Sequence, residues 1–91
     1  MSTIQPGRKK KRKIPSLWHV ILHNDDHNQI EYVINKVMQI TKLSKENAID
    51  KVKEINEKEK STLVTVHLEL AELYVEQLTT AKLIATLQRA S

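Results

Sequence analysis

Leu17-Trp18-His19-Val20-Ile21-Leu22-His23-Asn24-Asp25-Asp26 opens with a β-branched and aromatic run and closes on residues that favour turns. The apolar run at 17–22 is too short for a helix, so it predicts a first strand that stops at His23-Asn24-Asp25-Asp26. Downstream, Ile30, Val33, Ile34, Val37, Met38 and Ile40 recur near the spacing of one helical face, and Asp26 or Asn28 is expected to cap that helix by accepting a backbone N–H. Ser44 offers a second N-cap. After it, Ala48, Ile49, Val52 and Ile55 share one face, while Lys45, Glu46, Asp50, Lys53 and Glu54 share the other. The polar stretch at 56–60 predicts a break, and residues 63–66 predict a second strand. Leu70, Leu73, Tyr74, Gln77, Leu78 and Ala81 then repeat at helical spacing, with Glu69 and Glu72 early in the helix where acids suit its dipole. Residues 83–87 predict a third strand. The order β-α-α-β-α-β implies an α+β sandwich, a three-stranded antiparallel sheet with three helices packed on one face.

The chain has 91 residues, 15 basic and 11 acidic, with one glycine and no cysteine. That length suits one small domain, and the composition excludes a disulfide framework, a cysteine zinc site and thiol chemistry. No segment approaches the roughly 18 uninterrupted apolar residues of a membrane span, and the N-terminus lacks an apolar signal region. A soluble, cytoplasmic protein with no membrane partner is expected. The net charge of +4 is unevenly distributed, because six of the 15 basic residues occupy positions 8–13, leaving nine against 11 acids, or −2. Residues 1–16 also hold both prolines and the only glycine, and they predict a flexible basic arm ahead of a mildly acidic domain at 17–91. Such an arm can bind phosphates, address the protein to a compartment, or act only as a solvated terminus.

His19, His23 and His27 are spaced by four, which on a helix would gather three imidazoles. In a strand, residues four apart stand about 13 Å from one another, and no cysteine completes a set, so no metal is expected. Neither a glycine-rich phosphate loop nor a hydrolase or metalloprotease motif occurs, so neither a cofactor nor enzymatic activity is expected. What remains is Asn24-Asp25-Asp26, after a strand and before a helix. It reads first as a turn with a cap, and also as acceptor oxygens beside apolar Ile30 and Val33, suited to a cation carrying an apolar group; both readings can hold together. An ammonium donates three hydrogen bonds and accepts none, so a carboxylate with amide oxygens matches it.

The segment from Trp18 to Ile34, with Asn24-Asp25-Asp26 at its centre, resembles the opening of ClpS, an adaptor family that delivers N-degron substrates to a Clp ATPase and its protease. Glu69-Leu70-Ala71-Glu72-Leu73-Tyr74-Val75-Glu76-Gln77-Leu78 resembles that family's third-helix signature, particularly in its shorter cyanobacterial and plastid-like variants. The resemblance implies the fold of the ribosomal stalk protein's C-terminal domain and a cytoplasmic or plastid-stromal location. It also implies a ClpA- or ClpC-like ATPase and N-degron peptides as partners, nucleic acid not being expected. By position, Asn24, Asp25 and Asn56 match the residues that grip a substrate's α-amino group. Ile30, Val33, Val52, Ile55 and Leu83 match the apolar pocket for its first side chain, and Glu69 and Tyr74 the ATPase contact. Burial of a large apolar side chain contributes roughly 1.5–3 kcal/mol and each charge-assisted hydrogen bond about as much. Net of ordering costs, affinity on the order of micromolar follows.

The chain departs from the family pattern at four places. Ile55-Asn56 stands where Val-His is usual, Ile30 where a methionine is common, Lys58-Glu59-Lys60 where a glycine-containing loop is usual, and Tyr74 where a lysine is frequent. Two alternatives to the adaptor reading follow. One is a diverged paralogue that docks on the ATPase without recognising N-degrons; the other is a nucleic-acid or ribosome-associated protein acting through its basic arm.

Overall fold

The protein is described here by a computed structural model covering residues 16–90, so the arm expected at 1–16 lies, apart from Ser16, outside the described residues. Six elements follow one another: β1 (Leu17–His23), α1 (Ile30–Thr41), α2 (Lys45–Lys58), β2 (Lys60–His67), α3 (Leu68–Thr80) and β3 (Ile84–Arg89). This is the β-α-α-β-α-β order that the hydrophobic periods imply. The sheet order is β2-β1-β3, with both pairings antiparallel. A strand paired on both edges has no solvated edge, which is why β1 carries the apolar run Val20-Ile21-Leu22.

Along β1 the side chains alternate across the sheet. Trp18, Val20 and Leu22 face the helices, together with Val64 and Val66 of β2 and Ala85 and Leu87 of β3. On the other face His19 Nδ1 lies 2.8 Å from Thr65 Oγ1, and His23 Nε2 lies 2.7 Å from Thr86 Oγ1. The β1–β2 register passes from Val20↔Val64 to Ile21↔Thr62, making Leu63 the extra residue of a bulge. The bulge turns both Leu63 and Val64 into the core, where one residue in perfect alternation would have pointed away. Val20, Leu22, Val37 and Leu78 are fully buried at the centre, each contributing roughly 1.5–3 kcal/mol. α2 and α3 rest on the sheet, and α1 lies across them.

All three helices stop without glycine. Lys42, Glu59 and Lys82 take positive φ of 64°, 74° and 72°. In α1 and α2 the residue in this left-handed conformation returns its N–H to Met38 O and Ile55 O, closing the last turn. After α3, Leu83 N–H donates to Leu78 O and Lys82 N–H to Thr79 O, a Schellman-type ending in which Leu83 folds back into the core beside Leu78.

Several sequence-based boundaries shift. The break expected over 56–60 narrows to Glu59, because Asn56, Glu57 and Lys58 complete α2 and Lys60 opens β2. Glu and Lys are good helix formers on an exposed face, and Lys58 lies 3.9 Å from Glu54. β2 is longer than 63–66, running from Lys60 to His67; Lys60, Thr65 and His67 are exposed, whereas Ser61 is buried and donates to Glu54 Oε1. β3 runs to Arg89 and begins after Leu83. Leu73, expected on the buried face of α3, is 45% exposed. It sits about 200° around the helix from buried Ala71, at 3.6 residues per turn. The cap of α1 is Gln29, with no side-chain cap bond, and neither Asp26 nor Asn28 caps the helix. Ser44 does cap α2, accepting from Asn47 N–H at 3.1 Å.

Lys42 lies outside the cleft described below, so it isolates the cost of the left-handed ending. Lys42→Gly is expected to raise stability by about 1 kcal/mol, seen as a higher urea midpoint at unchanged slope. Leu78→Ala, at a position with no exposure, is expected to lose roughly 2–5 kcal/mol in the same measurement.

Candidate functional site

Where β1 ends, the chain must leave the sheet and start α1 within six residues, and the cleft is built from that passage. Asn24 extends the sheet by one bond, its N–H donating to Glu59 O at 2.8 Å. Asp25 then organises the turn. Its Oδ1 accepts from the backbone N–H of His27 and of Asn28, both at 2.9 Å, so the side chain catches the donors that α1 does not yet use. Asn28 Nδ2 lies 3.3 Å from each oxygen of Asp25 and donates to Lys82 O at 2.9 Å, tying this turn to the one after α3. Tyr32 Oη donates to Ala81 O at 2.7 Å and fastens α1 to the same turn.

The result is a cleft of about 410 Å³, solvent at its mouth included. Its apolar wall is Leu22, Ile30, Val33, Val52, Ile55 and Leu83, and its polar rim is His23, Asn24, Asp25, Asn28 and Asn56. Val52, Ile55 and Leu83 are buried, whereas Ile30 is 59% exposed and stands at the edge. The eight residues assigned from the sequence to α-amino and side-chain binding therefore surround one space, although they come from the turn after β1, α1, α2 and the turn before β3. Glu69 and Tyr74 lie elsewhere, on α3. Glu69 is exposed in its first turn, and Tyr74 packs partly against the core. Asp26 is an exposed turn residue.

Partial burial of Asp25 opposes its ionisation. That effect is outweighed by the backbone N–H groups of Asn28 and His27, the Asn28 amide and the nearby His27 imidazole, which together hold the carboxyl below its ordinary value. At neutral pH the cleft therefore carries a carboxylate. Its Oδ1 is saturated by backbone donors, while Oδ2 meets only the long bond from Asn28 and keeps lone-pair capacity for an incoming donor. Among the described residues, no group of three or more His, Cys, Asp or Glu side chains could hold a metal ion, and no helix is long and apolar enough to cross a membrane.

Leu22, His23 and Asn28 line the cleft without having been singled out for it by the sequence. Leu22 carries a usable signal, as the second residue after Val20 on the core face of an alternating strand. Asn28 carries another, as an amide three residues after Asp25 in a turn, the spacing at which a carboxylate catches backbone donors.

Comparison with known proteins points one way. A family model described as ATP-dependent Clp protease adaptor protein ClpS matches residues 13–86. The ATP-dependent Clp protease adapter protein ClpS of Synechococcus sp. is 40% identical over 80 residues, which cover 86% of this chain and 88% of the relative. Its counterpart in Gloeobacter violaceus is 36% identical over 88 residues, covering 94% and 95%. Among solved structures, Agrobacterium tumefaciens ClpS2 bound to L-phenylalaninamide matches with a TM-score of 0.78, covering 85% of this chain and all 100% of that one at 20% identity, which is a likeness of fold.

Because folding lowers the pKa of Asp25, this group stabilises the fold above its unfolded value, and the contribution fades as pH falls through the folded value. Asn28→Ala removes one of the interactions that favour the charged form. The carboxyl carbon of Asp25, followed by NMR titration, is expected to show a midpoint moved up toward the ordinary carboxylate range; an unmoved midpoint would exclude the part assigned to Asn28.

Proposed function

Since the chain belongs to the ClpS family of ATP-dependent Clp protease adaptors, we propose that its cleft binds the free α-amino group and bulky apolar first residue of N-degron substrates and presents them to the protease. The observation that carries this reading is the placement of an ionised carboxylate with spare acceptor capacity directly above a buried aliphatic wall. An α-ammonium beside a large apolar side chain has the complementary shape and chemistry. Three donors meet Asp25 Oδ2 and the amide oxygens of Asn24 and Asn56, and the side chain enters between Val33, Val52, Ile55 and Leu83. The relative from Agrobacterium was solved with L-phenylalaninamide, which likewise joins a free α-amino group to an apolar ring. Nothing in this arrangement activates a nucleophile; the proposed work is recognition, and the hydrolysis belongs to the protease.

The partner proposed for delivery is a ClpA- or ClpC-like ATPase, with exposed Glu69 at the contact. Tyr74, half turned into the core, contributes less surface than an extended lysine would. One observation favours a second reading, a paralogue that docks without recognising N-degrons. Asn56 stands where the family usually has a histidine, and among the described residues none holds its amide in a fixed orientation.

Peptides that differ only in the first residue, each with a free or an acetylated N-terminus, separate these readings by fluorescence anisotropy or calorimetry. The free-amine peptides with Leu, Phe, Tyr or Trp first are expected to bind at about micromolar affinity and their acetylated forms at least tenfold more weakly, the ammonium being worth a charge-assisted bond or more. Asp25→Ala is expected to abolish the distinction. Equal affinity for free and acetylated peptides would refute N-degron recognition, and capture of a Clp ATPase by a chain with that behaviour would establish the docking paralogue.

A further inference from the structure

The ammonium site depends on which way the Asn24 amide faces, and the structure shows what decides it. A primary amide has an acceptor edge and a donor edge of nearly equal size, so rotation about its last bond exchanges oxygen for NH2. Facing an ammonium, the first orientation attracts and the second repels. Asn24 Nδ2 donates to Glu59 Oε1 at 3.4 Å, while Asn24 N–H donates to Glu59 O at 2.8 Å. Glu59 thus holds Asn24 at the backbone and at the side chain together. Asn24 lines the cleft and Glu59 does not, and with Nδ2 engaged by Glu59 the amide edge bearing Oδ1 is the one left to meet a ligand. A carboxylate accepts only, and beside it the reversed amide would set oxygen against oxygen.

We propose that Glu59 is a positioning residue for the α-amino site, fixing the Asn24 amide with its oxygen toward the ligand. This rests on the reading of the cleft as an α-ammonium site. The left-handed backbone of Glu59 is not what singles it out, since Lys42 and Lys82 take the same conformation at the ends of the other helices. The distinction lies in what its carboxylate touches. It reaches the Asn24 amide, and the glycine usual in this loop supplies no such group.

The test compares Glu59→Gln, Glu59→Ala and Glu59→Gly with wild type in affinity for a Leu-first peptide, free and acetylated, in urea midpoint, and in the NMR signals of the Asn24 side-chain NH2. Glu59→Ala and Glu59→Gly are expected to weaken free-amine binding roughly three- to tenfold and to shift the NH2 signals. Glu59→Gln keeps an acceptor oxygen and is expected to stay within about twofold. Glycine relieves the backbone, so Glu59→Gly is expected to raise the urea midpoint while lowering affinity, an opposition that a purely structural residue would not produce. If wild type discriminates free from acetylated peptide and Glu59→Ala binds as well as wild type, the positioning role is overturned and the N-degron reading stands. If Glu59→Gln falls as far as Glu59→Ala, the carboxylate acts through charge and not by orienting the amide, which also overturns it. If wild type does not discriminate, both readings fall, and unaltered NH2 signals in Glu59→Ala would show that Glu59 does not hold the amide at all.

Discussion

The hydrogen bond from Asn24 N–H to the Glu59 carbonyl joins the first residue past the central strand to the residue that ends α2. It continues the β1–β2 ladder one step past His23↔Lys60. Because of it, the end of a strand and the end of a helix 35 residues later cannot drift apart, and the cleft lies between them. Asp25 is then placed by the strand that precedes it, Val52 and Ile55 by the helix that closes on it. The remaining wall comes from Leu83, which reaches the same spot because α3 ends in a backward turn under Asn28 and Tyr32.

The sheet contributes rigidity more than surface. A strand hydrogen-bonded on both sides and packed under helices ends at a fixed place, so the six residues after it start from a known direction. The turn spends its own polar side chains on its backbone, with Oδ1 of Asp25 holding two N–H groups. The second oxygen stays available. Structural and binding demands on one carboxylate are thereby divided between its two atoms, which is why the plain turn and the ammonium site, open alternatives for Asn24-Asp25-Asp26, are compatible.

The architecture was legible in the chain because its periods are strong: an uninterrupted apolar run for a central strand, and apolar residues three and four apart for helices. The cleft lining was legible mostly through family resemblance, since residues from five segments cannot be brought together by local rules. The end of α2 is hard to place from the polarity at 56–60, because glycine is the usual signal for a helix end and the described part of this chain ends its helices with Lys42, Glu59 and Lys82. Neither Asp26 nor Asn28 caps α1, because the helix begins only at Ile30 and the turn before it is held by Asp25, whose Oδ1 bonds the N–H groups of His27 and Asn28. Leu73 shares the three-and-four spacing of the apolar residues of α3, although its angle around the helix places it outside.

Leu17 pairs with His67 at the end of the sheet opposite the cleft, and Ala90 N–H donates to Leu17 O there at 2.8 Å. Ser16 and Ala90 therefore sit side by side, separated from the cleft by the length of β1, about 20 Å at 3.3 Å per residue. The domain is bipolar in the mechanical sense. A pull, a label or a fused protein attached at either of these positions acts on one pole, along the axis of the central strand, and leaves the opposite pole facing solvent with its opening unobstructed.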